Sequence, residues 1–214
     1  MSAKKMQIIA VANQKGGVGK TTTAVNLATA LAAVGKKTLL IDLDPQGNAS
    51  TGLGIAHENR EKNAYGVMLQ ETSITDAEQT TEVPKLSVIP SVVDLSAAEV
   101  ELVSEDNREF ILKNQLAKLE NRYDFVIIDC PPSLGLLTVN SLTAANSVLV
   151  PLQCEFYALE GLSHLLHTIE LVQENLNETL EIGGIVLTMH DRRNRLTTDV
   201  EKDVRTHLGD MVFK

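Results

Sequence analysis

The sequence predicts an α/β fold with a mostly parallel, twisted sheet and helices on both faces. Three observations predict it. Short apolar runs alternate with helical patterns along nearly the whole chain. The first run, Ile8-Ile9-Ala10-Val11-Ala12, leads through a glycine-rich turn into a helical pattern. Two later runs, Leu39-Leu40-Ile41 and Phe125-Val126-Ile127-Ile128, each end in a carboxylate, Asp42 and Asp129.

The elements follow in order. A strand is expected over 6–12. After the turn, Ala24, Leu27, Ala28, Leu31 and Ala32 share one face at helical spacing, and Gly35 ends that helix. Thr38–Ile41 is a wholly apolar strand, closed by Asp42-Leu43-Asp44-Pro45-Gln46-Gly47, where proline and glycine force a loop. Residues 48–85 are polar and carry one short helical piece near Gly66–Glu71. Leu86–Pro90 reads as a strand. Asp94 and Ser96 are candidate caps for a helix bearing Ala97, Ala98, Val100 and Leu102. A longer amphipathic helix carries Phe110, Ile111, Leu112, Leu116 and Leu119. Phe125–Asp129 is a strand stopped by Pro131-Pro132. A helix near 135–145, a strand over 147–151, a long helix marked by Leu159, Leu162, Leu165, Leu166 and Ile169, and a strand over 182–188 complete the alternation. A last helix runs to about Leu208, and Met211-Val212-Phe213-Lys214 reads as the start of another strand.

The chain has 214 residues, of which 43% are hydrophobic. That is enough for one sizeable core, and one domain over 1–214 is expected. The net charge of −9 makes the average field repel nucleic acid, so any such contact needs a local basic patch. No apolar run is long enough for a membrane span, and Met1–Lys5 leads into a strand rather than a signal peptide. The expected location is cytoplasmic. Cys130 and Cys154 are the two cysteines. They lie far apart without ligand spacing, so free buried thiols are expected.

The chemistry concentrates in Asn13-Gln14-Lys15-Gly16-Gly17-Val18-Gly19-Lys20-Thr21-Thr22-Thr23. Strand, glycine-rich loop and helix N-terminus form a phosphate cradle, with backbone N–H groups and the helix dipole facing the anion. Gly16, Gly17, Val18, Gly19, Lys20, Thr21 and Thr22 form it. Lys20 reaches the β- and γ-phosphates, and the Thr21 hydroxyl sits on Mg²⁺. The usual spacing would place glycine at position 14; here stand Gln14 and then a second lysine, Lys15. Asp129, closing an apolar strand, is expected to hold Mg²⁺ through water, with Asp42 near the metal from behind. Thr21, Asp42 and Asp129 are therefore the metal set. Asp44, further out in its loop, is expected to orient the attacking water. Together these predict a P-loop NTPase, with hydrolysis of ATP to ADP and phosphate as the expected reaction. Lys15 is either a solvated side chain or, if two copies face each other, a group acting on the partner's nucleotide. Arg192, Arg193 and Arg195 are the densest basic cluster, either a DNA-phosphate contact or a solvated loop.

Lys15-Gly16-Gly17-Val18-Gly19-Lys20-Thr21-Thr22 resembles the deviant Walker A box of the ParA/MinD ATPases. Asp42–Asn48, Phe125–Pro132 and Pro151–Gly161 look like the ParA/Soj branch. The resemblance spans nearly the whole chain. It implies a homodimer when ATP is bound, with Lys15 acting across the interface. It implies non-specific binding to nucleoid DNA, and a ParB-type centromere-binding partner that stimulates hydrolysis in chromosome or plasmid segregation. It raises the DNA reading of Arg192, Arg193 and Arg195. A MinD-type membrane helix is not seen, and no membrane partner is expected. The family usually continues beyond the point matching Lys214, so a missing C-terminal segment is expected.

Overall fold

The computed structural model describes residues 6–119, 122–155, 158–191 and 193–214. Seven strands form one sheet: β1 (Gln7–Val11), β2 (Thr38–Asp42), β3 (Gln79–Thr80), β4 (Leu86–Ile89), β5 (Phe125–Asp129), β6 (Ser147–Gln153) and β7 (Glu181–Thr188). The order across the sheet is β3-β4-β2-β5-β1-β6-β7. Only β3 is antiparallel; the other pairs run parallel. β1 thus sits mid-sheet, flanked by β5 and β6.

The α-helices are α1 (Lys20–Ala33), α2 (Asn48–Gly52), α3 (Ala64–Met68), α4 (Leu95–Glu101), α5 (Ile111–Ala117), α6 (Leu136–Ala144), α7 (Ala158–Asn175) and α8 (Arg195–Leu208). Alternation along the strands divides the core in two. Val11, Leu40 and Ile127 pack with Ala24, Ala28 and Ala32 of α1 and with Ala49 of α2. Ala10, Leu39, Ile41, Val126 and Ile128 point the other way, toward residues of α3 to α8. Alanines four apart on α1 let that helix lie close against the sheet. Gly35, at φ +89°, ends it, and Lys36 N–H donates to the Leu31 carbonyl at 3.0 Å.

Several expectations need adjusting. α2 lies in the polar stretch left unassigned, because its five residues, Asn48-Ala49-Ser50-Thr51-Gly52, are too few to show a periodic face. The short helix expected at Gly66–Glu71 begins two residues earlier, where Asn63 accepts from Gly66 N–H. Asp94 precedes α4 without capping it, and Ser96 bonds back to the Val93 carbonyl. Val100 faces solvent; Leu95, Ala98 and Leu102 are the buried positions there. The amphipathic segment around Phe110 is broken into a 3₁₀ turn, Arg108–Phe110, and α5, after Asn107 takes a left-handed φ of 55°. At the end of the chain Val212 makes one parallel bridge to Ile185. Cys130 and Cys154 are buried free thiols. No described helix is long and apolar enough to cross a membrane.

Candidate active site

Parallel strands gather functional groups at their carboxyl ends. Val11, at the end of β1, is the register partner of Asp129 on β5, and Asp129 in turn partners Asp42 on β2. The glycine loop leaves β1 directly and enters α1 at Lys20. Gly17 and Gly19 have φ of +77° and +85°, a backbone shape that disfavours other residues. A Cβ built on Gly16 or Gly17 would meet no atom within 4 Å, so these glycines serve backbone shape and access rather than packing.

Four bonds fix the loop. Asn13, buried, donates its amide to the Pro151 carbonyl at 2.7 Å and accepts from Lys15 N–H at 3.0 Å. Thr188, at the end of β7, donates its hydroxyl to the Val18 carbonyl at 2.8 Å. Lys20 donates its ammonium to the Lys15 carbonyl at 2.8 Å. Burial lowers the Lys20 pKa, and the negative charges of Asp129 and Asp44 act against that. The Lys15 side chain turns elsewhere and forms an ion pair with Glu155 of the same chain.

The two strand-end carboxylates differ. Asp42 is fully buried and bonded: Oδ2 accepts from Ser50 N–H at 2.8 Å and from Ser50 Oγ at 2.6 Å, and Oδ1 accepts from Asp44 N–H at 3.3 Å. Burial raises its pKa to about 6 against those bonds. Asp129 is equally buried, yet among the described residues neither of its oxygens meets a donor in good hydrogen-bond geometry, the Thr21 hydroxyl being nearby. Burial first, and Asp42 second, push its pKa up to about 7; the nearby Thr21 hydroxyl works the other way. A buried carboxylate with both oxygens open, beside a threonine hydroxyl at the mouth of a phosphate loop, suits magnesium. That ion is held by one or two carboxylates plus waters and phosphate oxygens rather than by a full protein cage.

The glycine loop and Asp44 face a pocket of about 310 Å³ lined by Gly16, Gly17, Lys20, Thr21, Thr22, Asp44, Gln46 and Pro132 among others, with Asp42 and Asp129 buried at the strand ends. Larger hollows lie away from it, two of them above 500 Å³. One, of about 540 Å³, sits at the opposite, N-terminal ends of β2, β4 and β5 around Lys37, Lys85 and Tyr123. The other, of about 530 Å³, is mostly apolar, between α1 and β6–β7. The phosphate site is recognised by its donors and carboxylates, not by volume.

Most expected site residues therefore converge: Gly16, Gly17, Val18, Gly19, Lys20, Thr21, Thr22, Asp42, Asp44 and Asp129. The basic cluster stands apart. Arg193 is paired bidentately with Asp191, at 2.9 and 2.8 Å. Arg195 lies 3.8 Å from Asp199. Both arginines are exposed, and Arg192 lies outside the described residues. Sequence reasoning missed Asn13, Ser50, Glu155 and Thr188. Each acts through contacts remote in the chain or through a helix too short to show a pattern; only Asn13, preceding the loop, carried a positional signal.

Comparison with known proteins shows the family. The AAA domain family model matches residues 6–182. The chromosome partitioning protein ParA of Caulobacter vibrioides is 56% identical over 215 residues, covering 100% of this chain and 80% of that protein. The sporulation initiation inhibitor protein Soj of Bacillus subtilis is 51% identical over 208 residues, covering 97% and 82%. The chromosome-partitioning ATPase Soj of Treponema pallidum is 55% identical over 201 residues, covering 94% and 78%. Among solved structures, cobyrinic acid a,c-diamide synthase from Mycobacterium smegmatis with bound ATP analog and magnesium superposes with a TM-score of 0.91 at 42% identity, covering 96% of this chain and 84% of that one. A plasmid partition protein from Borrelia burgdorferi superposes at 0.83 with 30% identity, covering 98% and 88%. From the glycine loop to the carboxylate-ended strands, the chain belongs to the ParA/Soj family of partitioning ATPases.

Proposed function

We propose that this ATPase is a Mg²⁺-dependent switch: with ATP bound it pairs with a second copy and holds DNA, and hydrolysis releases both. The observation that carries the reading is the buried Asp129 carboxylate, its oxygens unpartnered among the described residues, next to Thr21 at the start of the helix that follows the glycine loop. Bound Mg·ATP supplies the γ-phosphate and a cation that spreads its charge. Thr21 and Asp129 hold the cation, the latter through water. The loop from Gly16 to Thr22 holds the phosphates, with Lys20 exchanging the Lys15 carbonyl for phosphate oxygens. Asp44 orients the attacking water. Its loop is fixed from behind by Asp42, whose two oxygens are already bonded to Ser50 and Asp44 N–H. Lys15 acts on the nucleotide of the paired copy, since its side chain turns away from its own loop.

DNA is held through phosphates by Arg192, Arg193 and Arg195, with a salt-dependent affinity and no sequence preference. Arg193 and Arg195 each face an aspartate, Asp191 and Asp199, so each must exchange a carboxylate for a phosphate. A ParB-type partner stimulates hydrolysis, and the work is segregation of a chromosome or plasmid. The names of the relatives support this part.

The test combines two measurements on one preparation. Phosphate release should proceed with Mg·ATP alone, and DNA should be retained at low salt with ATP but not with ADP. Replacing Arg193 and Arg195 with Glu should abolish retention; unchanged retention would move the DNA site elsewhere. A second reading, an ATP-dependent biosynthetic enzyme, is favoured by the name of the Mycobacterium smegmatis structure. It requires that no phosphate be released until a small-molecule acceptor is supplied.

A further inference from the structure

Lys15 has two contacts that point in different directions. Its carbonyl is gripped by Lys20, inside the loop, and its ammonium is paired with Glu155, outside it. Glu155 lies just past β6, and its N–H donates to the Gln153 carbonyl at 2.9 Å. The backbones beneath the two charges are joined through Asn13, which bonds Pro151 on β6 and the N–H of Lys15. One buried amide thus fixes the distance between the ends of the ion pair. The two side chains stay part-exposed, at 40% and 34%, although the pairing Oε1 of Glu155 is itself covered. Beside them Gln14, Glu160, Gly161 and His164 line a shallow hollow, and His164 Nδ1 lies 3.2 Å from Gln14 Oε1.

From this geometry we infer that Glu155 is a positioning residue: it parks Lys15 in the single chain and so sets the protein concentration at which ATP can drive pairing. The inference rests on the reading that Lys15 acts across two copies. A lysine bound to Glu155 cannot at the same time bind a phosphate on a partner, so pairing must first break this contact. Half-exposed ion pairs are weak, which suits a contact that is released on every cycle. Two such contacts break for each dimer formed. A penalty of about threefold for each becomes about tenfold for the assembly, provided the two sites act independently.

The experiment uses the whole chain, with Glu155→Gln removing the charge at constant shape and Glu155→Asp keeping it. Two quantities are read. One is the rate at which the Lys15 amine of the nucleotide-free chain is acetylated by limiting acetic anhydride, followed by mass spectrometry. The other is the midpoint protein concentration for dimerisation with a non-hydrolysed ATP analogue, followed by sedimentation. Glu155→Gln should speed Lys15 acetylation about threefold and lower the midpoint about tenfold, while Glu155→Asp should keep both nearer the parent. In a Lys15→Gln background, Glu155→Gln should leave the midpoint unmoved. Unchanged acetylation in Glu155→Gln overturns the inference, and so does a midpoint shift that persists without Lys15. If acetylation rises but no variant dimerises with nucleotide, the ion pair stands and the pairing reading falls, taking the threshold role with it.

Discussion

Asp42 and Asp129 are register partners on neighbouring strands, both fully buried, and among the described residues Asp42 alone of the two is held by well-formed hydrogen bonds. Two carboxyls at adjacent strand ends cannot easily both be ionised in so little water. The folded chain therefore holds protons that the unfolded chain sheds near pH 4.

The first prediction concerns pH. The pKa values of both groups are raised on folding, to about 6 and about 7. Stability from this source is full below about pH 4 and fades as pH rises through 6 to 7, by up to about 1.4 kcal/mol per pH unit for each group that still differs between the two states. Urea unfolding without Mg²⁺ should show stability falling from pH 5 to pH 8, and Asp129→Asn should flatten that fall. Because Mg²⁺ takes only the ionised carboxylate, adding Mg·ATP should weaken the pH dependence. A profile that is flat in the parent chain would contradict the assignment.

Ser50→Ala should be costly for so small a change. The hydroxyl donates to Asp42 and accepts from Ser91 N–H at 2.9 Å, and all three groups are buried. Removing it takes one of two bonds from Asp42 Oδ2 and leaves the buried Ser91 N–H without that acceptor, at about 2 kcal/mol together. Chemical denaturation should report that loss. Phosphate release should also slow, because the footing of the Asp44 loop is loosened.

Asp44→Ala should separate binding from chemistry. Phosphate release should fall about 100-fold or more, while ATP affinity, measured by fluorescence of a labelled analogue, should change little. Equal loss of both would make Asp44 a binding group instead.

Thr188→Val should do the reverse. The loop loses its 2.8 Å tie to β7, worth about 1 kcal/mol, so nucleotide should bind about fivefold more weakly with turnover at saturation nearly intact. Thr188→Ser should restore affinity.

How much could be read beforehand differs by region for physical reasons. β1, β2 and β5 are apolar runs in mid-sheet, where burial on both faces leaves a clear mark, and their carboxylate ends were visible with them. The glycine loop was legible because its backbone demands glycine at set places. Ser50 was not, since a five-residue helix has no periodicity and its importance comes from meeting Asp42, eight residues away. Thr188 was not, since its partner lies 170 positions distant in sequence. The 3₁₀ turn Arg108–Phe110 was hidden because Phe110 falls in step with the apolar spacing of α5, while the left-handed Asn107 that starts the turn lies just before that pattern. The arginines were visible as a cluster, but their neutralising neighbours Asp191 and Asp199 were not weighed with them.

The bond from the Lys20 ammonium to the Lys15 carbonyl has a kinetic consequence. A glycine-rich loop with nothing to grip would wander, and each arriving anion would have to wait for it to fold. Here the loop closes on its own lysine, so the cradle already has its working curvature. An incoming phosphate exchanges one oxygen for another at the same nitrogen. Capture should then be limited by diffusion and by shedding of hydration rather than by loop rearrangement, and stopped-flow binding traces should rise in a single phase whose rate is linear in nucleotide concentration.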